Sequence, residues 1–211
     1  MTAATLHLVR HAEVDNPGGV VYGRLPGYGI TERGEAMADA AATALAALPV
    51  NRLVASPLLR TQLSARPIAA LFGLEIEPDV RVVEAGNRFE GTRLRGRAIV
   101  RNPKVWPYFR NPVRPSWGEP YVRIVARMRA AIADAFADTA EGDVVVVSHQ
   151  LPIWMVHRSV LHEPLPHDPR RRRCALSSIT SFQQVDGRLV ETGYQEPAAA
   201  LLAGAVDQGA T

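Results

Sequence analysis

The sequence predicts an α/β fold of three layers, α/β/α, around a mostly parallel central sheet. Three observations predict it. Apolar runs of strand length alternate with longer segments whose apolar residues recur at helical spacing. Hydrophobic residues make up 47% of the 211 residues, enough for one large core. The longest strongly apolar run, Val144 to Val147, is far too short to cross a membrane.

Thr5 to Arg10 carries Leu6, Leu8 and Val9 and reads as a short buried strand. A polar loop rich in glycine and proline follows, from Glu13 to Ile30. Thr31 is suited to cap a helix from about Glu32 to Leu48, in which Met37, Ala41, Ala44, Leu45 and Leu48 keep helical spacing. Pro49 stops it. Arg52 to Ala55 is a second strand. Ser56-Pro57 reads as an N-cap with proline at the first helical position, opening a helix toward Phe72 with a kink or break near Pro67. Glu75 to Val83 holds one or two short extended pieces, ending near Glu84. Residues 86–120 contain five prolines and two tryptophans. They are too irregular for a sheet element and too aromatic for a disordered linker. They read as an inserted excursion with a short helix around Leu94 to Val100, in which Trp106, Tyr108, Phe109 and Trp117 form a packed lid or an oligomer contact.

Tyr121 to Asp138 is a helix with Val125, Met128, Ile132, Ala135 and Phe136 on one face. Gly142-Asp143 turns into a fully buried strand, Val144 to Ser148, with His149 and Gln150 at its end. Leu151 to Leu161 is helical, and Pro152 suits its first turn. Ala175 to Val185 and Arg188 to Tyr194 read as a hairpin across Asp186-Gly187. The tail after about Pro197 is small and apolar, and loosely ordered unless it docks. No repeat or composition shift divides the chain, so residues 1–211 read as a single domain.

Composition narrows the function classes. The chain has one cysteine, Cys174, which leaves no internal disulfide and no cysteine-based metal site. The N-terminus lacks a basic stretch followed by an apolar one, the pattern of a signal peptide. The expected setting is the cytoplasm. Basic residues number 24 against 21 acidic ones, a net charge of +3 that names no partner by itself. All but Lys104 of those basic residues are arginine, whose planar fork donates two hydrogen bonds to a phosphate at once.

In open α/β sheets, ligands bind beyond the carboxyl ends of the strands. Two of the predicted strands end at Arg10-His11 and at His149. Either feature alone is more often structural than catalytic. Two histidines and an arginine converging at one sheet edge concentrate positive charge, which suits an anion.

Leu8-Val9-Arg10-His11-Ala12-Glu13 resembles the Arg-His-Gly opening of the histidine phosphatase superfamily, which includes the cofactor-dependent phosphoglycerate mutases. The resemblance continues in order. Gly23-Arg24 and Ile30-Thr31-Glu32-Arg33-Gly34 look like the family's loop and first helix start. Ser56-Pro57-Leu58-Leu59-Arg60-Thr61 is similar to its second motif, which supplies another phosphate-binding arginine. Glu84, with Phe89-Glu90-Gly91 after it, resembles the segment carrying the catalytic acid, and Val146-Val147-Ser148-His149 resembles the second histidine motif. The resemblance spans roughly residues 5 to 185 and implies a phosphoglycerate mutase-like fold. The chain departs from the pattern at Ala12 and Gln150, where the family usually has glycine.

The chemistry this implies is specific. Arg10 and Arg60 give bidentate, charge-assisted bonds to a phosphomonoester, and a protonated His149 adds another. A neutral His11 attacks phosphorus in line, giving a phosphohistidine. Glu84 protonates the leaving alcohol and then serves as base for water. Glu13 and Glu90 are the nearby alternatives to Glu84. Asn16 and Arg24 are further substrate-binding candidates, each with an equal bland reading as a loop residue. No cofactor or metal is called for. His157, His162 and His167 read as surface or helix-end residues. The run Arg170 to Arg173 reads first as a solvated loop. It lacks the aromatic interleaving of a nucleic-acid platform, and a third reading has one of its arginines binding the anionic tail of the substrate.

Three functions remain open. The first is a hydrolase of small phosphorylated metabolites, the second a mutase of the same family, and the third a phosphate-pocket protein with little turnover. No nucleic acid or membrane partner is expected, and a homodimer is the default on symmetry grounds.

Overall fold

The computed structural model describes residues 5–93, 101–103, 106–107, 117–139 and 141–207. The expected helix around Leu94 to Val100, with Tyr108 and Phe109, lies outside the described residues. Of the two tryptophans of that stretch, Trp106 is largely exposed, unlike a packed lid residue.

Six strands form one sheet. In chain order they are β1 (Thr5–Arg10), β2 (Val50–Ala55), β3 (Glu77–Pro78), β4 (Asp143–Ser148), β5 (Ile179–Val185) and β6 (Arg188–Gln195). The spatial order is β3-β2-β4-β1-β5-β6. The first four of that order run parallel, and β5 and β6 are antiparallel additions at the edge beside β1. The crossover segments contain α1 (Glu32–Leu45), α2 (Leu59–Phe72) and α3 (Tyr121–Ala137), and α4 (Gln150–Val160) follows β4.

Side-chain alternation along the strands assigns the layers. Leu6 and Leu8 of β1 and Val144 and Val146 of β4 face one core, with Ile124, Met128 and Ile132 of α3 and Ile153 of α4. Val9, Val145 and Val147 face the other, with Ala41 and Leu45 of α1 and Ala65 and Ile68 of α2. Both faces of β4 are therefore covered. That is why its sequence is a continuous valine run rather than an alternating one.

Several local expectations need adjusting. Helix α1 ends at Leu45, with Ala46 as C-cap, rather than at Leu48. Pro49 disfavours helical geometry in the residue before it, and the chain leaves through a turn in which Leu48 N–H bonds Leu45 O at 2.9 Å. Helix α2 starts at Leu59, not at Pro57, and continues unbroken through Pro67. Ser56 is not its cap, because the helix begins three residues later, with Leu58 as N-cap. Glu75 to Val83 contributes a two-residue strand and a 3₁₀ turn, Val80–Val82. The terminal hairpin begins at Ile179 rather than Ala175. Its turn has positive φ at both Asp186 (50°) and Gly187 (72°), the two-residue geometry that matches strand twist. The tail docks: Ala198 packs with Ala12, Met37, Ala38 and Leu176, and Leu201, Leu202 and Ala205 lie against that cluster.

The start of α1 anchors the first loop. Thr31 Oγ accepts from Gly34 N–H at 2.9 Å and donates to the Glu13 carboxylate at 2.6 Å. A Cβ on Gly34 would lie 2.4 Å from Glu13 O, so only glycine permits this approach. Thr31→Ala is expected to cost about 1 kcal/mol of stability through the lost cap, read as a lower denaturant midpoint at unchanged slope.

Candidate active site

Three neighbouring strand ends build the site. In the order β2-β4-β1, the residues just past the strands are Ser56, His149 and His11. Ser56 N–H bonds Val147 O and His11 N–H bonds Ser148 O, each at 3.0 Å, so the parallel pairing carries on for one residue beyond the strands. This registry sets the two imidazoles edge to face, with ring centroids 5.2 Å apart. Both rings are sealed from solvent.

The tautomer of His11 follows from its neighbour. Ala12 O lies 2.8 Å from His11 Nδ1. A carbonyl can only accept, so Nδ1 carries the proton and Nε2 keeps its lone pair. Burial, with Arg60 and Arg10 close by, lowers the His11 pKa well below the ordinary imidazole value, so the ring is neutral near pH 7. His149 Nε2 lies 2.8 Å from Ser56 Oγ. With the Ser56 hydroxyl donating, the His149 proton sits on Nδ1, which has no partner. Burial and the cations Arg60 and Arg127 lower the His149 pKa as well. The neutral ring is therefore the favoured form of His149, and its Nδ1–H is the donor it has to offer.

Arg10 and Arg60 are both fully buried. Arg60 Nη2 donates to Gly23 O at 2.7 Å, and its guanidinium lies 4.8 Å over the ring of Tyr22. Its Nε and Nη1 have no partner, nor has Arg10 Nε. Arg10 Nη1 donates to Cys174 O at 2.6 Å. Both Arg10 Nη groups also hold the Asp207 carboxylate of the C-terminal tail, which outweighs burial and raises the Arg10 pKa. Buried donors in native proteins are almost always satisfied. The unpartnered donors of Arg10, Arg60 and His149, gathered around His11, could each give an anion a hydrogen bond.

Glu84 is buried beside this group. One oxygen accepts from Ala85 N–H at 2.8 Å. Burial raises its pKa, and Ala85 N–H, Arg60, Arg172 and Arg10 only partly oppose that shift. The other two carboxylates have structural uses. Glu13 bonds Thr31 and the tail N–H of Val206 (2.7 Å). Glu90 accepts from the N–H groups of Arg24 and Asn87.

Two sequence candidates are engaged elsewhere. The Asn16 amide donates to Val20 O at 2.9 Å and accepts from Val20 N–H at 3.2 Å, closing its own turn. Arg24 Nε donates to Glu84 O at 2.7 Å and its Nη2 pairs with Glu119, so it pins the backbone that carries Glu84. Ala12 needs no positive φ, and its methyl is buried in the tail cluster, so alanine fits where glycine was expected. His157, read as a surface or helix-end residue, lies in the last turn of α4 and is buried, stacked on Trp154 and paired with Glu191.

Ser56, Tyr22 and Asp207 were missed by sequence reading. Ser56 was detectable, since it directly follows a strand predicted to end near the site. Nothing in the sequence placed Tyr22 or Asp207. Asp207 lies where an anion would use Arg10. Asp207→Asn is expected to tighten competitive inhibition by inorganic phosphate up to about fivefold, the range of a partly exposed ion pair. Weaker inhibition would show that Asp207 orients Arg10 rather than competing for it.

Comparison with known proteins points one way. The family description "Histidine phosphatase superfamily (branch 1)" matches residues 6–196. The chain is 49% identical over 195 residues to the uncharacterized protein Rv0525 of Mycobacterium tuberculosis, covering 92% of this chain and 96% of that one. It is 29% identical over 160 residues to phosphoserine phosphatase 1 of Hydrogenobacter thermophilus, covering 74% and 75%. Among solved structures, mycobacterial glucosyl-3-phosphoglycerate phosphatase Rv2419c with VO3 superposes with a TM-score of 0.75 at 25% identity, covering 90% of this chain and 98% of that one. Bacillus stearothermophilus YhfR superposes with a TM-score of 0.77 at 21% identity, covering 90% and 96%, a likeness of fold.

Proposed function

The chain belongs to branch 1 of the histidine phosphatase superfamily, and from that premise we propose that it is a phosphomonoester hydrolase for a small phosphorylated metabolite, working through a phosphohistidine. The observation that carries this reading is the set of unpartnered buried donors on Arg10, Arg60 and His149 beside a His11 whose Nε2 is unprotonated. Two relatives with named activities, phosphoserine phosphatase 1 and glucosyl-3-phosphoglycerate phosphatase, are phosphatases, which supports hydrolysis over mutase transfer.

The non-bridging oxygens of the phosphoryl group take the donors of Arg10, Arg60 and His149. His11 Nε2 attacks phosphorus in line with the ester oxygen. As the N–P bond forms, the P–O bond breaks, and the departing oxygen receives the proton of Glu84. The alcohol leaves. Water then attacks the same phosphorus, Glu84 takes its proton, the N–P bond breaks, and inorganic phosphate is released. The fixed donors stabilise charge on the transferring group in a site with little water, which is most of what phosphoryl transfer requires of a protein.

A phosphate-release assay over a panel of phosphomonoesters tests this. Turnover of at least one ester, saturable and inhibited by vanadate, is expected. Tight binding of such esters without release would instead favour a binding protein.

A further inference from the structure

The four arginines at 170–173 do different things. Arg170 pairs with Asp168 at 2.7 Å, Arg173 pairs with Glu191, and Arg171 is exposed. Arg172 turns inward. Its Nε donates to His167 Nε2 at 2.8 Å and its Nη1 to Gln150 Oε1 at 3.1 Å. Among the described residues no carboxylate forms an ion pair with it, so this half-buried cation has only neutral hydrogen-bond partners.

Gln150 links Arg172 to Arg10. It follows His149 directly and is buried. Its Nε2 donates to Cys174 O at 3.4 Å, the same carbonyl that accepts Arg10 Nη1 at 2.6 Å. One side-chain amide and one carbonyl thus separate the guanidinium of Arg172 from that of Arg10. Glycine at position 150 would remove this bridge. Burial lowers the Arg172 pKa, and Glu84 and Tyr121, which face it, only partly oppose that shift. Three arginines therefore lie around Glu84. Arg10 and Arg60 carry the unpartnered donors, and Arg172 is joined to Arg10 through Gln150 and Cys174 O.

We propose that Arg172, oriented by Gln150 and His167, is a second anion subsite that selects phosphomonoesters carrying another acidic group, a carboxylate or a second phosphate. The inference rests on the phosphatase reading above and specifies its substrate class. Arg172 is a specificity residue here and takes no part in bond breaking.

Three esters of matched length test it: the phosphate of 3-hydroxypropionate, the monophosphate of propane-1,3-diol, and the bisphosphate of that diol. For the wild type, kcat/KM is expected to favour at least one doubly acidic ester over the neutral one by roughly 10- to 100-fold, the range of a charge-assisted hydrogen bond. Which of the two is favoured identifies the acidic group. In Arg172→Gln the ratio should fall to about one, and Arg172→Lys should retain part of it. No preference in the wild type would overturn the subsite, as would an unchanged ratio in Arg172→Gln. Equal binding constants for the three esters, measured by calorimetry on the His11→Ala protein with and without Arg172→Gln, would overturn it even where no ester is turned over. Absence of turnover with preferential, Arg172-dependent binding would instead remove the phosphatase reading and leave the subsite standing.

Discussion

Replacing His11 with alanine is expected to lower kcat/KM by about 10⁴-fold or more, because the variant loses the atom proposed to form the covalent intermediate. The fold should tolerate the change. The one polar bond of the side chain runs to the carbonyl of the next residue, so circular dichroism and thermal midpoint should hardly move. Wild-type protein quenched during turnover of a labelled substrate should carry phosphate that is acid-labile and base-stable, as a phosphoramidate is. His11→Ala should carry none. Label on His149, with His11→Ala still active, would reverse the two histidines. The geometry argues against that reversal, because His149 Nε2 is already held by Ser56.

The second large effect is expected at Glu84. An alkoxide is a poor leaving group and departs only with a proton, whereas nitrophenolate leaves readily as an anion. Glu84→Gln should therefore lose roughly 10²–10⁴-fold on an alkyl phosphate and clearly less on nitrophenyl phosphate. Burial raises the Glu84 pKa, which keeps the proton in place for donation. On the alkyl substrate, the wild-type rate should thus fall as pH rises through that raised value, and Glu84→Gln should lose this alkaline limb. Equal losses on both substrates, with the limb retained, would place the acid elsewhere. Arg24→Ala should show a weaker version of the same split, since Arg24 holds the Glu84 backbone.

Much of this protein was legible before any coordinates. Strand β1 spans Thr5–Arg10 as expected, and the bounds of β4, α3 and α4 differ from expectation by no more than one residue at each end. Their apolar patterns had a single interpretation: a valine run buried on both faces is a central parallel strand, and Thr31 before a helical pattern is a cap. Strand-end logic also selected His11 and His149, because backbone pairing alone forces residues that follow neighbouring parallel strands to lie together.

Other features had no local signal. Whether Ser56 caps a helix or holds His149 depends on where β2 sits beside β4, and only the sheet order decides that. In sequence, only the family resemblance favours Glu84 over Glu13 and Glu90. Glu84 alone combines burial among the arginines with no second cation or cap to satisfy, and those are properties of its surroundings. The four consecutive arginines read as one charged run until the loop is folded, when one guanidinium turns inward to Gln150 and His167 and two find carboxylates. Asp207 lies 197 residues from Arg10 in the chain, and no periodicity or motif connects the pair. The sequence by itself determined the layers, the central strands and the two histidines, because these follow from short-range patterning and strand pairing. The tertiary structure alone decided which charges are buried, which are paired and which remain free for an anion, because burial and long-range pairing arise only once distant segments pack together.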